Sequence, residues 1–340
     1  PDLNRDEYNT LHWSRNPAFG FCEARYWLAR KGGDIVGRIA GIVNRRYVEQ
    51  WGNRYARFGW VDFADDAEVA AALFGSCEKW ARAEGMTALH GPLGFTDLDP
   101  EGMLVRGFDE PGTLPTLYNY PYYPKHVERL GYQKDVDWLE YSVRVPEQLP
   151  ERIRRVADLV QRRSRLRLVE LKHRRDALAY ARDIFDVLNR AYSSLYAVTK
   201  LSDEQIEAYI KQYFTFIHKD LVPIVVDEHN HVVAFAIAMP SLTSALRKAW
   251  GRLFPTGAFH LLGALRNPNA IDLYLVAVRP DFQGRGVNSL LITAMFDACR
   301  RLGIESAEAS PQLESNRMIR AFWHYFDFRQ HKRRRVFIKN

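Results

Sequence analysis

Cysteine is scarce in this 340-residue sequence. The three cysteines, Cys22, Cys77 and Cys299, lie far apart, with no C-x-x-C pair and no His/Cys cluster at metal-ligand spacing. This sparse, odd number excludes a disulfide-rich scaffold and argues against a structural zinc site. It favours a reducing compartment, so we expect a cytoplasmic protein without a metal cofactor.

Long apolar runs are also missing. No uninterrupted apolar stretch approaches the roughly 20 residues that a membrane-spanning helix needs. A hydrophobic content of 47% and a charged content of 26% are typical of a soluble globular protein rather than a disordered or fibrous one. The length suits two domains of ordinary size, and we expect no membrane partner.

The charge is moderately positive. Lys and Arg number 48 against 41 Asp and Glu, which gives a formal net charge of +7. Part of this excess lies in the dispersed runs Arg152–Arg155, Arg162–Arg167 and Lys332–Arg335, which are typical of solvated helix or strand faces. A modest positive field suits a small anionic ligand as well as a nucleic acid. Binding of nucleic acid through Lys332–Arg335 would depend steeply on salt, and we place it behind the small ligand.

Strand patterns dominate the first half. A Gly32-Gly33-Asp34 turn joins two strands into a hairpin, and Asp65 is predicted to cap a helix whose buried face includes Val69, Leu73, Cys77 and Trp80. A long loop rich in Gly, Pro and Asp follows from Gly91 to Pro115. The predicted strands and helices of this half are Tyr26–Ala29, Ile35–Asn44, Arg57–Phe63, a helix after Asp65, Thr87–Leu89, a short helix up to Leu130 and Asp137–Val145.

The second half alternates helices and strands. Pro146–Pro150 marks the boundary, and an insertion at Pro240–Asn269 is predicted to be irregular. The predicted elements are the helix Pro150–Ser164, strand Leu166–Leu171, helices Asp176–Leu195 and Asp203–His218, strands Val222–Val226, Val232–Met239 and Ile271–Val278, helix Val287–Leu302, strand Glu305–Ala309, helix Asn316–Phe326 and strand Phe328–Ile338.

The two halves repeat one pattern. Ile35–Ala40 corresponds to Val233–Ile237, and Leu130-Gly131-Tyr132 to Phe326-Asp327-Phe328, at offsets of about 196–198 residues. Two copies of one unit explain this spacing better than two unrelated domains. We therefore predict an α/β (α+β) fold of two tandem units, residues 1–146 and 147–340, each a mixed, mostly antiparallel twisted sheet flanked by helices.

The most informative segment connects a strand to a helix. The apolar strand Ile271–Val278 stops at Arg279-Pro280, and Gln283-Gly284-Arg285-Gly286 then leads into the next helix. Glycines at such a turn let backbone N–H groups approach a ligand closely, and the helix N-terminus adds partial positive charge. The pattern indicates an anion site for a diphosphate rather than a simple turn. The first half has Ala64-Asp65-Asp66-Ala67 at this place, whose carboxylates would repel a diphosphate.

This segment resembles the pyrophosphate motif (Q/R-x-x-G-x-G/A) of the GNAT acetyltransferase superfamily. Downstream, residues 316–328, N-R-M-I-R-A-F-W-H-Y-F-D-F, are similar to the last helix of that family. The resemblance implies that acetyl-CoA or another acyl-CoA is the cosubstrate, and that a V-shaped split opens between the strands at 272–278 and 305–309. It also implies the binding residues: Val276, Ala277, Val278 and Asn316 for the pantetheine arm, and Gln283, Gly284, Arg285, Gly286, Val287, Asn288 and Ser289 for the pyrophosphate.

The catalytic residues are less clearly marked. Trp323 stands where many members of that family carry a general-acid tyrosine, and the neighbouring His324 and Tyr325 are its possible substitutes. A thiol is a tolerable leaving group, so loss of that acid need not abolish transfer. Glu308 and Glu314 are the candidate general bases, with Tyr274 and Asp272 behind them. Asn288 and Asp327 also depart from the family pattern.

Together these features predict an acyl-CoA-dependent N-acyltransferase, foremost an N-acetyltransferase, that acts on a small-molecule or peptide amine. The first unit is predicted to be a degenerate copy without the pyrophosphate loop. Its Tyr118–Pro124 segment is a candidate lining of the acceptor groove, with simple packing as the alternative. An aminoacyl or long-acyl transferase of tandem GNAT type and a non-catalytic acyl-CoA-binding module stay open as alternatives. The sequence does not identify the acceptor or the oligomeric state.

Overall fold

A computed structural model describes residues 4–213, 217–249, 257–316 and 322–340 of the chain. Within these residues, twelve strands form one sheet. In chain order the strands are β1 Cys22–Lys31, β2 Asp34–Asn44, β3 Tyr55–Phe63, β4 Ala88–Gly91, β5 Met103–Arg106, β6 Gln133–Arg144, β7 Arg167–Leu168, β8 Ile224–Val226, β9 Val232–Pro240, β10 Ala270–Val278, β11 Ser306–Leu313 and β12 Phe328–Lys339.

Helices cover the sheet. Among them, α6 and α7 pack on one face of β10, and α5 and α10 on the other, which explains why this strand is so apolar. The described α-helices are α1 Asn4–Leu11, α2 Arg45–Trp51, α3 Ala67–Ala83, α4 Tyr122–Arg129, α5 Glu151–Arg163, α6 Ala181–Tyr192, α7 Asp203–Tyr213, α8 Thr243–Ala249, α9 Gly257–Arg266 and α10 Val287–Leu302. No helix in the described ranges is both long and apolar enough to span a membrane.

The predicted fold class is confirmed. The sheet runs in the order β1-β2-β3-β4-β12-β6-β11-β10-β9-β8-β7, with β5 beside β12. In the described part of the chain, β3/β4 and β10/β11 are the parallel pairs, and the other pairs are antiparallel. The unit β2-β3-α3-β4 in the first half has the same form as β9-β10-α10-β11 in the second.

The two halves exchange their last strands. The strand β6 ends the first half but pairs with β11 of the second, whereas β12 ends the second half and pairs with β4 of the first. The two exchanged strands also pair with each other at the centre of the sheet. The sheet therefore runs without interruption across the sequence boundary at Pro146–Pro150.

A buried cluster of charges joins β6 to β12. One Glu140 oxygen lies 2.9 Å from Lys332 Nζ and the other lies 2.5 Å from Arg334 Nε, and each of the three side chains is 1% exposed. Ion pairs removed from water need such complete pairing. The run Lys332–Arg335 is thus only partly a solvated face, because two of its cations are internal partners of Glu140.

Three local predictions need correction. The N-cap of α3 is Asp66, which accepts hydrogen bonds from the N–H groups of Glu68 and Val69, while Asp65 lies 2.7 Å from His126 Nε2. The insertion at 240–269 is not irregular, since it contains α8 and α9. The sequence analysis also did not predict α1, α2 and β5. Five of the eleven residues of the predicted helix Asn316–Phe326, 317–321, lie outside the described residues.

Candidate active site

The parallel strands β10 and β11 separate halfway along their length. They pair from Ala270–Ser306 to Leu273–Ala309, and the register of β10 against β9 then shifts between Leu273 and Leu275. The Ser310 hydroxyl donates to the carbonyl oxygen of Leu273 at the point of separation. The strands thus separate with the apex at this hydrogen bond. The split lies between residues 274–278 and 310–313 rather than between 272–278 and 305–309, because residues 306–309 pair with β10.

The Gln283–Ser289 loop follows the free end of β10. Gln283 Nε2 donates to the carbonyl oxygen of Val278 over 3.0 Å, which holds the loop against the strand. Gly284 and Gly286 have φ angles of +74° and +80°, in the left-handed region that favours glycine. Both glycines are therefore required by the backbone path into α10.

The two glycines differ in their surroundings. A Cβ on Gly284 would meet no atom within 4 Å, whereas a Cβ on Gly286 would lie 2.8 Å from Val156 and 3.1 Å from Val160 of α5. Gly286 therefore lets α5 pack against the loop. Gly284 borders open space, which leaves room for a phosphate to approach the backbone.

Positive charge surrounds this open space. The guanidinium of Arg285 lies over the Phe282 ring, 5.3 Å from its centroid, and its side chain is exposed. The first N–H groups of a helix have no carbonyl partner within that helix, and α10 begins at Val287. Asn288 is exposed there, and the N–H of Ser289 donates to the Gly286 carbonyl oxygen over 2.9 Å. These residues fit a diphosphate.

One residue of β10 beyond the apex is open to solvent. Val276 is 46% exposed, while Ala277 and Val278 are buried against helices on opposite faces. The Tyr192 hydroxyl donates to the Val276 carbonyl oxygen over 3.1 Å. On the other side of the split, Asn316 follows β11, and its N–H donates to Leu313 over 2.9 Å. Val276 thus lies on one diverging strand and Asn316 in the turn that follows the other.

Glu308 lies next to the apex, in register with Asp272. Its Oε2 is 2.7 Å from Nε2 of the buried His331, and His331 Nδ1 is 3.3 Å from Glu110 Oε2. Neither Glu308 Oε2 nor His331 Nε2 has a well-aligned hydrogen bond, so we describe their approach as an ion-pair contact. The hydrogen bonds from Arg329 and His331 lower the pKa of Glu110 to about 2. Two carboxyl groups thus flank one imidazole.

Asp272 is buried beside Glu308. Burial raises the pKa of Asp272 to about 7, and the charge of Glu308 adds to the effect, while a hydrogen bond from Ser241 and the charge of Lys332 oppose it. Its Oδ1 has no hydrogen-bond partner among the described residues. An unpaired buried carboxyl oxygen is costly when ionised, so this group changes its charge near neutral pH.

The other predicted catalytic residues lie in different surroundings. The carboxylate of Glu314 contacts Lys134 Nζ at 2.5 Å and Arg333 at 3.4 Å. Tyr325 is exposed, and the Arg152 guanidinium lies 5.6 Å from its ring centroid. His324 is also exposed.

Trp323 is a core residue. It is buried against Tyr141, with the ring centroids 5.9 Å apart, and its Nε1 donates to Gln312 over 2.9 Å. The role of Trp323 at this position is therefore to pack the core.

Sequence reasoning missed an acidic segment of the first half, residues 97–101. Burial raises the pKa of Asp97 and of Asp99 to about 6 and the pKa of Glu101 well above its ordinary value, against the charge of Arg57. Burial, and to a lesser extent the charge of Asp97, raise the pKa of Tyr192 to about 12, so Asp97 lies near the tyrosine that binds β10. The i, i+2, i+4 carboxylates of D-L-D-P-E were a signal that the sequence analysis left unused.

The segment is held against the second half. The hydroxyls of Thr96 and Tyr209 are 2.7 Å apart, and Leu98 packs into the core beneath α6 and α7. By contrast, Tyr122 and Tyr123 of the predicted groove segment pack on Phe63 within the first half. The first half thus reaches the split through residues 96–101, and these two tyrosines belong to its own core.

The corresponding region of the first half is filled. The ladder of β3 and β4 ends at Arg57–His90, and the Leu93 N–H then donates to the Phe58 carbonyl oxygen over 2.8 Å. A Cβ on Gly59 would lie 2.5 Å from the Leu93 carbonyl oxygen, and Phe95 is fully buried. These contacts leave no room like that beside Gly284.

Residues 182–328 match the model of the acetyltransferase (GNAT) family. Among curated proteins, the chain is 27% identical over 333 residues to protein YghO of Escherichia coli (strain K12), covering 96% of this chain and 84% of that protein. It is 28% identical over 318 residues to the bacterial ceramide synthase of Caulobacter vibrioides (strain NA1000 / CB15N), covering 89% and 80%.

Solved structures share the fold at low sequence identity. A tandem GNAT protein from the clavulanic acid biosynthesis pathway superposes with a TM-score of 0.52 and 14% identity, covering 95% of this chain and 83% of that one. A GCN5-related glucosamine N-acetyltransferase region in a fungal multi-domain GH3 β-N-acetylglucosaminidase superposes with a TM-score of 0.56 and 12% identity. The superposition covers 100% of this chain and 38% of that one. This likeness concerns the arrangement of strands and helices.

Proposed function

Because the chain is a tandem-domain member of the GNAT superfamily, we propose that it transfers an acyl group from acyl-coenzyme A to the amine of an amphiphilic acceptor. The observation that carries the proposal is the split between β10 and β11, with an open glycine loop at one end and Glu308 beside its apex. The 28% identity to a bacterial ceramide synthase over 89% of the chain supports such an acceptor, since a ceramide is an N-acylated long-chain amino alcohol.

Acyl-coenzyme A, the acyl donor, would bind to residues of the second half only. Residues Gln283–Ser289 would bind the pyrophosphate, because Gly284 borders open space and Arg285 is exposed beside it. The exposed Val276 and the half-buried Asn316 would contact the pantetheine arm from the two sides of the split. When bound, acyl-coenzyme A supplies an acyl group that is activated as a thioester. We favour a long acyl chain over acetyl because of the same relative.

Glu308 is the general base in this proposal. It lies next to the apex of the split, where its Oε2 is 2.7 Å from His331 Nε2, and His331 Nδ1 is in turn 3.3 Å from Glu110. We prefer it to Glu314, because Lys134 and Arg333 already occupy that carboxylate. A positioned base contributes about 10²–10⁴ in rate. We assign no general acid, since Trp323 is packed and bonded to Gln312.

The acceptor would enter on the side that the first half contributes. Asp97 and Asp99 lie near Tyr209, and Asp97 also lies near Tyr192, whose hydroxyl donates to the Val276 carbonyl oxygen of β10. Carboxylates attract the ammonium form of an amine and raise its local concentration. With pKa values of about 6, Asp97 and Asp99 are mostly ionised above pH 7, so this attraction should strengthen between pH 5 and pH 7.

The experiment measures N-acyl products of the full chain by mass spectrometry. Donors run from acetyl-CoA to stearoyl-CoA, and acceptors are a long-chain amino alcohol, its short-chain analogue and a lysine peptide. We expect transfer from long-chain donors to the long-chain amine, lowered about 10²–10⁴-fold in Glu308→Gln and little changed in the matched variant Glu314→Gln. Equal activity of Glu308→Gln and wild type would refute the assignment of the base.

Other outcomes would replace the proposal. Preference for acetyl-CoA would make the protein an N-acetyltransferase, and transfer that requires a charged tRNA would make it an aminoacyltransferase. Saturable binding of coenzyme A without turnover of any pair would instead favour an acyl-CoA-binding module.

A further inference from the structure

The insertion between β9 and β10 has an unusual composition. Residues 241–269 contain no Asp or Glu, whereas Arg247, Lys248, Arg252 and Arg266 are basic and Leu and Ala are frequent. The structure folds the described part of this stretch into α8 and α9, which contact each other. We call these two helices the α8–α9 hairpin.

The hairpin leaves an apolar face uncovered. The helix α8 buries Ala245, Leu246 and Ala249, but α9 exposes Phe259 (76%) and Leu262 (50%). These two side chains are three residues apart and lie on one face of the helix. Exposed large apolar side chains grouped on one helix face mark an interaction surface more often than a solvated one.

The charge around this face is of one sign. Arg247, Lys248 and Arg266 are exposed, and none of them has an ion-pair partner among the described residues. Exposed apolar side chains accompanied by basic residues and no acidic ones are the composition of a helix that lies in a membrane interface. It complements an anionic surface, whereas a protein partner would need a matching acidic rim.

The α8–α9 hairpin lies at one end of β10. It leaves the sheet at the pair Pro240–Ile271, where Ser241 bonds the buried Asp272 and Thr243 Oγ1 donates to the Gly112 carbonyl oxygen over 3.0 Å. This is the end of β10 opposite the Gln283–Ser289 loop.

We propose that the α8–α9 hairpin docks the protein on the surface of anionic phospholipid bilayers. Phe259 and Leu262 enter the boundary between headgroups and acyl chains, and the three basic residues neutralise anionic headgroups. This mode needs no membrane-spanning helix, because the hairpin lies in the interface. The proposal is independent of the acyl-transfer chemistry, since docking requires no turnover.

The test is flotation of the full chain with extruded vesicles of phosphatidylcholine alone or with 30% phosphatidylglycerol, at about 0.1 M salt. We expect binding to the anionic vesicles, little binding to the neutral ones, and loss at high salt. Phe259→Ser should weaken binding about tenfold or more. Each of Arg247→Glu and Lys248→Glu should weaken it at least fivefold, which is the effect of removing one surface cation.

Matched controls come from the first half. Trp13 is 74% exposed, so Trp13→Ser removes a similarly exposed aromatic ring, and Arg25→Glu reverses the charge of another exposed arginine. Both should bind vesicles as wild type does, and circular dichroism should show all variants folded. Equal losses in Trp13→Ser and Phe259→Ser, or no binding of wild type to anionic vesicles, would overturn the proposal. So would lipid-free self-association that Phe259→Ser abolishes, because the face would then be an interface between copies.

Discussion

Asp272 should make the stability of the protein fall as the pH rises through neutrality. Its pKa is about 7 in the folded chain against an ordinary value of 3.8. A carboxyl group with a raised folded pKa binds its proton more tightly in the folded state, so its contribution to stability is complete below pH 3.8 and is lost as the pH rises to about 7. At 1.36 kcal/mol per pKa unit, the whole loss is about 4 kcal/mol, of which about 3 kcal/mol falls between pH 5 and pH 8.

The Asp272→Asn variant tests this directly, because the amide has no proton to lose. Urea unfolding at pH 5 and pH 8 gives the free energy of unfolding of both proteins. Relative to wild type, the variant should gain about 3 kcal/mol between the two pH values. Asp34→Asn, at an exposed aspartate, is the matched control and should follow wild type. Parallel pH dependences of wild type and Asp272→Asn would show that the Asp272 carboxyl is hydrated or paired.

Three further predictions follow from the cluster at the sheet centre, the loop and the base. Glu140→Gln should lower the free energy of unfolding by about 3–5 kcal/mol, because it leaves two buried cations without a counter-charge; a loss below about 1 kcal/mol in urea unfolding would contradict this. Gly284→Ala places a Cβ in the open space beside the loop at φ +74°, so calorimetry should show coenzyme A binding weakened about tenfold or more with about 1–3 kcal/mol of lost stability. Glu308→Gln should lower the rate of acyl transfer about 10²–10⁴-fold, whereas His324→Ala should keep the wild-type rate, and the opposite result would reverse the two roles.

Local patterns predicted most of the elements. The helix predicted at Val287–Leu302 coincides with α10, because glycine, apolar periodicity and a C-terminal Gly303 with φ +71° all act within a few residues. The strand predicted at Ile271–Val278 differs from β10 by one residue for the same reason. The N-cap of α3 is Asp66 and not the predicted Asp65, because the chain makes a tight turn before the helix. In this turn the Asp66 N–H donates to the Ala64 carbonyl oxygen over 2.6 Å.

Long-range pairing was beyond the sequence. The residues of β6 and β12 do not indicate which half of the chain each strand pairs with. The periodicity of a strand predicts which of its faces is buried, but it does not predict the neighbouring strand. The Glu140 cluster with Lys332 and Arg334 depends on that pairing, so the basic run at 332–335 looked like a solvated face. The insertion at 240–269 looked irregular because each of its helices is short and bounded by Gly, Pro or Ser.

The glycine loop illustrates a mixed outcome. Its strand, turn and helix were predicted, but the two glycines have different neighbours that only the fold reveals. Gly286 faces Val156 and Val160 of α5, so a Gly286→Val change would disturb helix packing as well as any phosphate contact. Gly284 faces open space, which makes Gly284→Ala the cleaner test of ligand binding.

The strand exchange explains how the first half, for which no pyrophosphate loop is predicted, can contribute residues to the site of the second half. The chain between β4 and β6 must cross β12, and Glu110 and Pro111 are held there by His331 and Lys332. The earlier part of the same segment includes Asp97, which lies near Tyr192, and the Tyr192 hydroxyl donates to β10 at Val276.

The same geometry ties the proposed base to both halves. Glu308 comes from the second unit, Glu110 from the first, and His331 between them belongs to the exchanged strand β12. If either half moved away, the imidazole would lose one of its two carboxyl partners, and the acidic segment would leave the split. We therefore expect the first unit to be required for activity, because it contributes Glu110 beside His331 and Asp97 near Tyr192.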